Sequence, residues 1–108
     1  MMKKMSEDLL PVQLSKRAGK ELKKIKKSDQ VLYRKMGEAI TSIRKDPAIG
    51  EAKKGDLKGY SCLDLHHRGI NYELCYALRE NEEGELVLVV LLGTRENFYM
   101  ELKRYLGN

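Results

Sequence analysis

The sequence predicts one α+β domain, in which two N-terminal helices pack on a small, twisted, mostly antiparallel sheet and a short C-terminal helix follows. Three observations predict this class: helical periodicity before residue 46, strand-like alternation with glycine turns after residue 59, and a run at residues 86–92 that is apolar at every position. Helices gather on one face of such a sheet. We therefore expect its other face to be free to bind a partner.

Composition indicates a globular domain spanning residues 1–108. The chain is 42% hydrophobic and 34% charged, with a net charge of +5. The positive charge favours an anionic partner, either nucleic acid or an acidic protein. Much of the excess lies in residues 16–27, and on that segment alone we favour the simpler interpretation that its lysines line the solvent-exposed face of a helix.

Neither a targeting segment nor a membrane span is predicted. No apolar core follows Lys3 and Lys4, and the longest apolar run is too short to cross a bilayer. We therefore expect a cytoplasmic protein. Cys62 and Cys75 fit neither a zinc spacing nor a disulfide framework, so both are expected to be free and reduced.

The first elements are a strand and two helices. Residues 9–14 alternate weakly and contain Pro11, which is typical of a short edge strand. Ser15 is a candidate N-cap for a helix that begins at Lys16. A second helix follows Ser28 or Asp29 and should stop near residue 46, because proline at 47 disfavours helical geometry before it. The apolar positions that define the two helices are Ala18, Leu22, Ile25, Leu32, Met36, Ala39, Ile40 and Ile43.

The remaining chain predicts a loop, three strands and a helix. Residues 48–59 carry three glycines and are predicted to be a loop. Strands are predicted at residues 60–67, 72–78 and 86–92, with turns at 68–69 and 81–84 between them. The apolar strand should be central and covered on both faces. A last helix is predicted at residues 96–106.

One candidate site lies at the end of the first of these strands. Asp64, His66, His67 and Arg68 place an acid, two imidazoles and a guanidinium close together. Histidine exchanges protons near neutral pH, and general acid–base cleavage of RNA requires such groups beside a charge stabiliser. Alternation puts Asp64 and His66 on one strand face and His67 on the other. On these residues alone, a polar surface hairpin is the interpretation we favour.

A second candidate site follows the apolar strand. Arg95 is predicted at the start of the last helix, where its guanidinium can bind phosphate. Tyr99 is four residues later and would lie beside it in a helix, positioned to stack on a base. Equally, Arg95 could pair with Glu96 or Glu101 while Tyr99 fills a gap in the core.

A third candidate is a basic set that flanks Tyr60, comprising Lys53, Lys54, Lys58 and Arg68. These residues could contact RNA phosphates. For the lysines we favour a solvated charged loop.

An ordered series of segments resembles the RelE/ParE toxin superfamily. The segments are Leu57-Lys58-Gly59-Tyr60, then Asn71 to Tyr76, then Leu91-Leu92-Gly93-Thr94-Arg95-Glu96-Asn97-Phe98-Tyr99. The resemblance covers residues 14–106 and implies a cognate antitoxin as partner. It also implies metal-independent cleavage of messenger RNA on the ribosome, as in many members, or inhibition of DNA gyrase, as in the ParE branch. Arg95 and Tyr99 match functional positions of the RNA-cutting branch, with the spacing of YafQ-like toxins, where histidine replaces Arg95.

Glu73 departs from the family pattern, because the resemblance implies an arginine there. Our first hypothesis is a ribosome-dependent endoribonuclease without a cofactor. Arg95 would neutralise the phosphate, His66 or His67 would move protons with Glu73 or Asp64 as helper base, and Tyr99 would orient a base. The alternatives are a gyrase inhibitor and a non-toxic relative that binds an antitoxin.

Overall fold

The computed structural model describes residues 9–107. Residues 1–8, on which the expected lack of a signal segment rests, and Asn108 lie outside the described residues. A five-stranded mixed sheet carries three α-helices. The elements are β1 Val12–Leu14, α1 Lys16–Ser28, α2 Gln30–Lys45, β2 Glu51–Ala52, β3 Ser61–His67, β4 Ile70–Asn81, β5 Gly84–Thr94 and α3 Phe98–Gly107. The strands lie side by side in the order β1-β5-β4-β3-β2.

The predicted Ser15 cap is confirmed, and of the two candidates for the second helix, Ser28 and Asp29, the structure uses Asp29. Ser15 Oγ accepts the Ala18 N–H at 3.0 Å and donates to the Val90 carbonyl at 2.7 Å, so it starts α1 and ties it to β5. Asp29 Oδ1 accepts the Leu32 N–H at 3.0 Å and starts α2. The end of α2 at Lys45 is the end that proline at 47 predicts.

The sheet has one parallel pairing, between β1 and β5, and three antiparallel ones. The edge position of β1 is confirmed, but the strand is three residues long and begins after Pro11. Proline has no N–H for a ladder, although its carbonyl accepts the Val87 N–H at 2.9 Å. In β5, Val90 is an extra residue, since Cys75 pairs with Leu91 and Tyr76 with Val89.

The predicted loop at residues 48–59 is more ordered than expected. It contains β2 and the 3-10 helix Gly55–Leu57, and the 3-10 helix Pro47–Ile49 precedes β2. A buried tyrosine of β4 holds this segment: the Tyr76 hydroxyl donates to the Pro47 carbonyl at 2.6 Å and accepts the Gly50 N–H at 2.9 Å. Because both partners are backbone groups, side-chain patterning gave no sign of the contact.

Helices cover both faces of the sheet, so the expectation that one face is free was wrong. One core joins α1 and α2 to Leu74, Tyr76, Val87, Val89 and Leu92. A second core, on the other face, packs Phe98 and Leu102 of α3 on Cys62, Cys75, Val90 and Leu91. β5 is therefore covered on both faces, as its continuous apolar sequence predicted.

Candidate active site

A buried carboxyl group from β4 is the centre of the candidate site. Glu73 is 1% exposed, and its Oε1 accepts a hydrogen bond from the Tyr99 hydroxyl at 3.1 Å. Its Oε2 lies 3.6 Å from Arg95 Nε and has no hydrogen-bond partner among the described residues. Burial, and then the neighbouring Asp64 carboxyl, raise the pKa of Glu73 to about 7, against the opposing effects of Tyr99 and Arg95.

Strand register places Asp64 directly opposite Glu73. The Lys53 N–H donates to the Tyr60 carbonyl at 2.9 Å, so Tyr60 directs its backbone groups toward the β2 side. Because backbone direction alternates along a strand, Cys62 and Asp64 also direct their backbone groups toward β2 and away from β4. Each faces β4 in a non-hydrogen-bonded pair, the kind in which opposed side chains come closest. The two carboxyl groups therefore repel each other when both are ionised.

Arg95 bridges the two carboxyl groups. Its Nη1 lies 3.7 Å from Asp64 Oδ2, and its backbone N–H donates to the Asn71 carbonyl at 2.8 Å. The side chain is 54% exposed, so one side of the guanidinium faces solvent. The alternative partners considered from the sequence are not used: Glu101 instead pairs with Arg17 at 2.9 Å.

The predicted helical pairing of Arg95 with Tyr99 was wrong. α3 begins at Phe98, and Asn97 before it has φ +63° in the left-handed region, so Arg95 lies in the turn between β5 and α3. Both side chains nevertheless reach Glu73 from different directions. Burial raises the pKa of Tyr99 to about 12, so its phenol stays protonated at neutral pH and donates.

Lys53 completes the group. Its Nζ lies 4.9 Å from the centre of the Tyr99 ring and 3.1 Å from Glu51 Oε1. Burial alone would lower the pKa of Lys53, but its contacts with Tyr99 and Glu51 raise it above its ordinary value, so the ammonium stays charged. We call the following residues the Glu73 cluster: Lys53, Asp64, Glu73, Arg95 and Tyr99.

The two histidines are separated, as alternation predicted. His67 is 4% exposed and its Nε2 lies 3.0 Å from Asp29 Oδ2, on the sheet face that α1 and α2 cover and away from the Glu73 cluster. The Leu32 N–H is the main cause that lowers the pKa of Asp29, and His67 adds to it. His66 is exposed, and its Nδ1 lies 2.8 Å from Asn71 Oδ1. The backbone carbonyl of the same asparagine accepts the Arg95 N–H.

The other predicted basic residues are not part of the cluster. Lys54 and Lys58 are exposed, and Arg68 lies in the β3–β4 turn with φ +52°. Sequence reasoning missed Glu51, because residues 48–59 were predicted to be a loop, whereas the extended backbone at β2 places Glu51 and Lys53 on one face. The Asp64–Glu73 pair did have a signal: counting outward from the turn at residues 68–69 aligns the two.

The chemistry of the cluster is that of an anion site with a proton acceptor. Arg95 and Lys53 supply positive charge, the Tyr99 phenol supplies a donor, and Glu73 has a pKa close to neutral pH. Such an arrangement can bind a phosphate and remove a proton beside it. Within residues 9–107, no group of three or more His, Cys, Asp or Glu side chains could hold a metal ion, and no helix is long and apolar enough to span a membrane.

Comparison with known proteins identifies a family and a fold. A family model described as "ParE-like toxin of type II bacterial toxin-antitoxin system" matches residues 12–103. A structure described as a YoeB/ParE toxin from Agrobacterium tumefaciens is similar with a TM-score of 0.67 and 16% identity, covering 80% of this chain and 99% of that one. The YoeB dimer from Staphylococcus aureus is similar with a TM-score of 0.60 and 24% identity, covering 76% and 92%. These structures show the fold, and no curated protein sequence matches.

Proposed function

Because the chain belongs to the ParE-like toxins of type II bacterial toxin–antitoxin systems, we propose that it is a ribosome-dependent endoribonuclease, which cleaves messenger RNA in the cytoplasm and thereby inhibits translation. One observation supports this most: a buried carboxyl group, Glu73, has an oxygen without a hydrogen-bond partner beside Arg95. A gyrase inhibitor that acts by binding alone has no need of a buried acid with a pKa of about 7.

Glu73 is the proton acceptor of the proposed reaction. With a pKa of about 7, a large fraction of its carboxyl groups is ionised at neutral pH. Oε2 is buried and has no hydrogen-bond partner, so it can accept the proton of a ribose 2′-hydroxyl once the Arg95 guanidinium turns toward the phosphate and uncovers it. The 2′-oxygen then attacks the adjacent phosphorus, and the bond from phosphorus to the 5′-oxygen breaks. The reaction uses the RNA's own hydroxyl as nucleophile and requires no cofactor.

Arg95 is the group that neutralises the phosphate. Its two ion pairs, at 3.6 and 3.7 Å, are longer than a good charge-assisted hydrogen bond. Since the side chain is 54% exposed, a phosphate can approach it from solvent and form the closer contact. Tyr99 holds Glu73 in place, and its ring is partly exposed beside Lys53 to orient a base.

His66 is the residue that we assign to return a proton to the leaving 5′-oxygen. It shares a strand face with Asp64 and is exposed, whereas His67 is buried against Asp29. Lys54, Lys58 and Arg68, all exposed, would contact RNA phosphates at the edge of the site.

An antitoxin partner follows from the family. α3 covers part of the sheet face that the cluster occupies. An antitoxin that blocked the cluster would therefore cover its solvent-exposed side or displace α3, in a hetero-oligomeric complex. The net charge of +5 suits an acidic segment that folds on binding.

The test is an Arg95→Ala substitution, with Arg104→Ala as a matched control because Arg104 is an exposed arginine of α3 outside the cluster. Each chain is induced in bacteria without antitoxin, and protein and DNA synthesis are followed by pulse labelling. We expect the wild type and Arg104→Ala to stop protein synthesis and cut messages. Arg95→Ala should lose at least 100-fold in cleavage, about the effect of one lost charge stabiliser. Full toxicity of a folded Arg95→Ala chain would remove the proposed role.

Gyrase inhibition is the second candidate, and one observation favours it. In the structure Arg95 faces two acids, and the arginine that the RelE-like resemblance implies is replaced by Glu73, so the site carries less positive charge than an RNA site built on that pattern. Loss of DNA synthesis while translation continues, in the same pulse-labelling experiment, would assign the chain to this class.

A further inference from the structure

The two cysteines of the chain lie directly opposite each other on neighbouring strands, two residues along those strands from the Asp64–Glu73 pair of the Glu73 cluster. Cys62 of β3 pairs with Cys75 of β4, both side chains are buried, and both belong to the core under α3. The ladder pattern makes this pair non-hydrogen-bonded. On β4, the Arg95 N–H donates to the Asn71 carbonyl, so Cys75, four residues later, directs its backbone groups to β5 and away from Cys62.

That geometry is suited to a covalent bond between the sulfurs. In a non-hydrogen-bonded antiparallel pair the Cα atoms are about 4.5 Å apart and the side chains lie side by side. Disulfides span Cα separations of about 4.4–6.8 Å. A small adjustment of two strands in one hairpin therefore joins them.

We infer that Cys62 and Cys75 form a reversible modification site, which a small peroxide oxidises to a cross-strand disulfide. The Cys62 thiolate attacks one oxygen of hydrogen peroxide, the O–O bond breaks, and one water leaves after protonation, giving a sulfenic acid. The Cys75 sulfur then attacks the Cys62 sulfur, the S–O bond breaks, and a second water leaves. The two thiols lose two electrons and two protons, and a dithiol reductant reverses the change.

The surroundings make Cys62 the attacking thiol. The adjacent Cys75 thiol lowers the pKa of Cys62, and the nearby Tyr99 hydroxyl and Lys53 ammonium add to the effect. The adjacent Cys62 thiol and burial raise the pKa of Cys75, which suits it to resolve the sulfenic acid rather than to start the reaction. Cys62 also lies beside the edge strand β2, two exposed residues long, whose local opening admits a small oxidant.

The experiment uses the purified full-length chain, reduced and then treated with hydrogen peroxide. After quenching, the protein is unfolded, labelled with iodoacetamide and analysed by mass spectrometry. We expect both thiols to disappear together with the loss of two hydrogens per chain, and dithiothreitol to restore them. The midpoint of thermal unfolding should rise by roughly 10 °C, since the bond closes a loop of 14 residues, from Cys62 to Cys75, in the unfolded chain.

Two controls keep the result interpretable. Met100 is 57% exposed, so its oxidation reports that the peroxide dose was sufficient. In Cys75→Ser, which cannot close the bond, a dimedone adduct should appear at Cys62. Two unreacted thiols in a wild-type chain whose Met100 is oxidised, or a disulfide that joins two chains, would overturn the inference. Because thiol state is measured without RNA or ribosomes, the result is independent of the proposed nuclease activity.

Discussion

At the scale of single residues, the acidic Glu73 occupies the position at which the family resemblance implies an arginine. Glu73 is enclosed by Arg95, Tyr99 and Asp64, and it remains partly uncompensated because one oxygen has no hydrogen-bond donor. Burial of such a group costs stability when it is ionised. The same burial raises the pKa of Glu73, and the raised pKa suits it to proton transfer near neutral pH.

The cost can be measured through its pH dependence. The carboxyl group of Glu73 has an ordinary pKa of 4.5 and a pKa of about 7 in the folded chain. Between these values the folded state binds a proton that the unfolded state does not, so stability falls as pH rises from 4.5 to 7 and stays low above 7. We expect the wild type to lose on the order of 3 kcal/mol across this range, and Glu73→Gln to lose much less. Urea unfolding at pH 5, 6, 7 and 8 measures the effect.

The control for that series is Glu80→Gln, an exposed glutamate of the same strand. It should keep the wild-type dependence on pH. Equal slopes for all three chains would contradict the raised pKa of Glu73.

At the scale of elements, the segment between α2 and β3 depends on one side chain. The Tyr76 hydroxyl bonds the Pro47 carbonyl and the Gly50 N–H, and a Cβ added at Gly50 would lie 2.5 Å from that hydroxyl. The segment carries β2 and Lys53 to the site. Correct placement of Lys53 over Tyr99 therefore depends on a hydrogen-bonded phenol in the other core.

Removal of that hydroxyl should weaken the segment. We expect Tyr76→Phe to reduce stability by about 1–3 kcal/mol, because two backbone groups lose a partner. Tyr60→Phe is the control, since the Tyr60 hydroxyl accepts a bond from the exposed Arg79 side chain. Urea unfolding gives the energies, and hydrogen exchange at the Gly50 amide reports local opening. Equal costs for both substitutions would show that the Tyr76 contact contributes little.

Local signals accounted for much of the fold. Ser15 and Asp29 could be identified as caps because their hydrogen bonds reach three residues along the chain. The two-residue β2 could not, since two exposed residues carry no periodicity. The start of α3 at Phe98 was also missed. Asn97 before it adopts a left-handed conformation, which asparagine tolerates but which its presence in the sequence does not predict. The Asp64–Glu73 pair can be read from the turn at residues 68–69, but Lys53 and Tyr99 reach the Glu73 cluster only because β2 joins the sheet and α3 covers the second face, and neither of these is local.

At the scale of the whole molecule, two cores share one sheet. α1 and α2 cover one face, while α3 covers the other and carries Tyr99 to the site. The salt bridge between Arg17 and Glu101 joins α1 to α3, but both side chains are about half exposed, so it adds little stability. The apolar contacts of Phe98 and Leu102 therefore hold α3 in place.

A substitution in the second core tests this dependence. Leu102 is fully buried, and we expect Leu102→Ala to cost about 2–5 kcal/mol, because it leaves a cavity under α3. Met100→Ala, at a residue that is 57% exposed, should cost less than 1 kcal/mol. Thermal and urea unfolding compare the two. Similar small losses would mean that α3 is loosely attached, which would also loosen Tyr99.

The parallel pairing of β1 with β5 sets the order in which the domain can form during its synthesis. Val12 pairs with Val87, so β1 has no partner in the sheet until translation has passed β5. Glu73, Arg95 and Tyr99 come together only after β5, whose Val90 carbonyl accepts the Ser15 hydroxyl, has been made. A nascent chain that still lacks β5 therefore carries no assembled site, since Arg95 and Tyr99 follow that strand in the sequence.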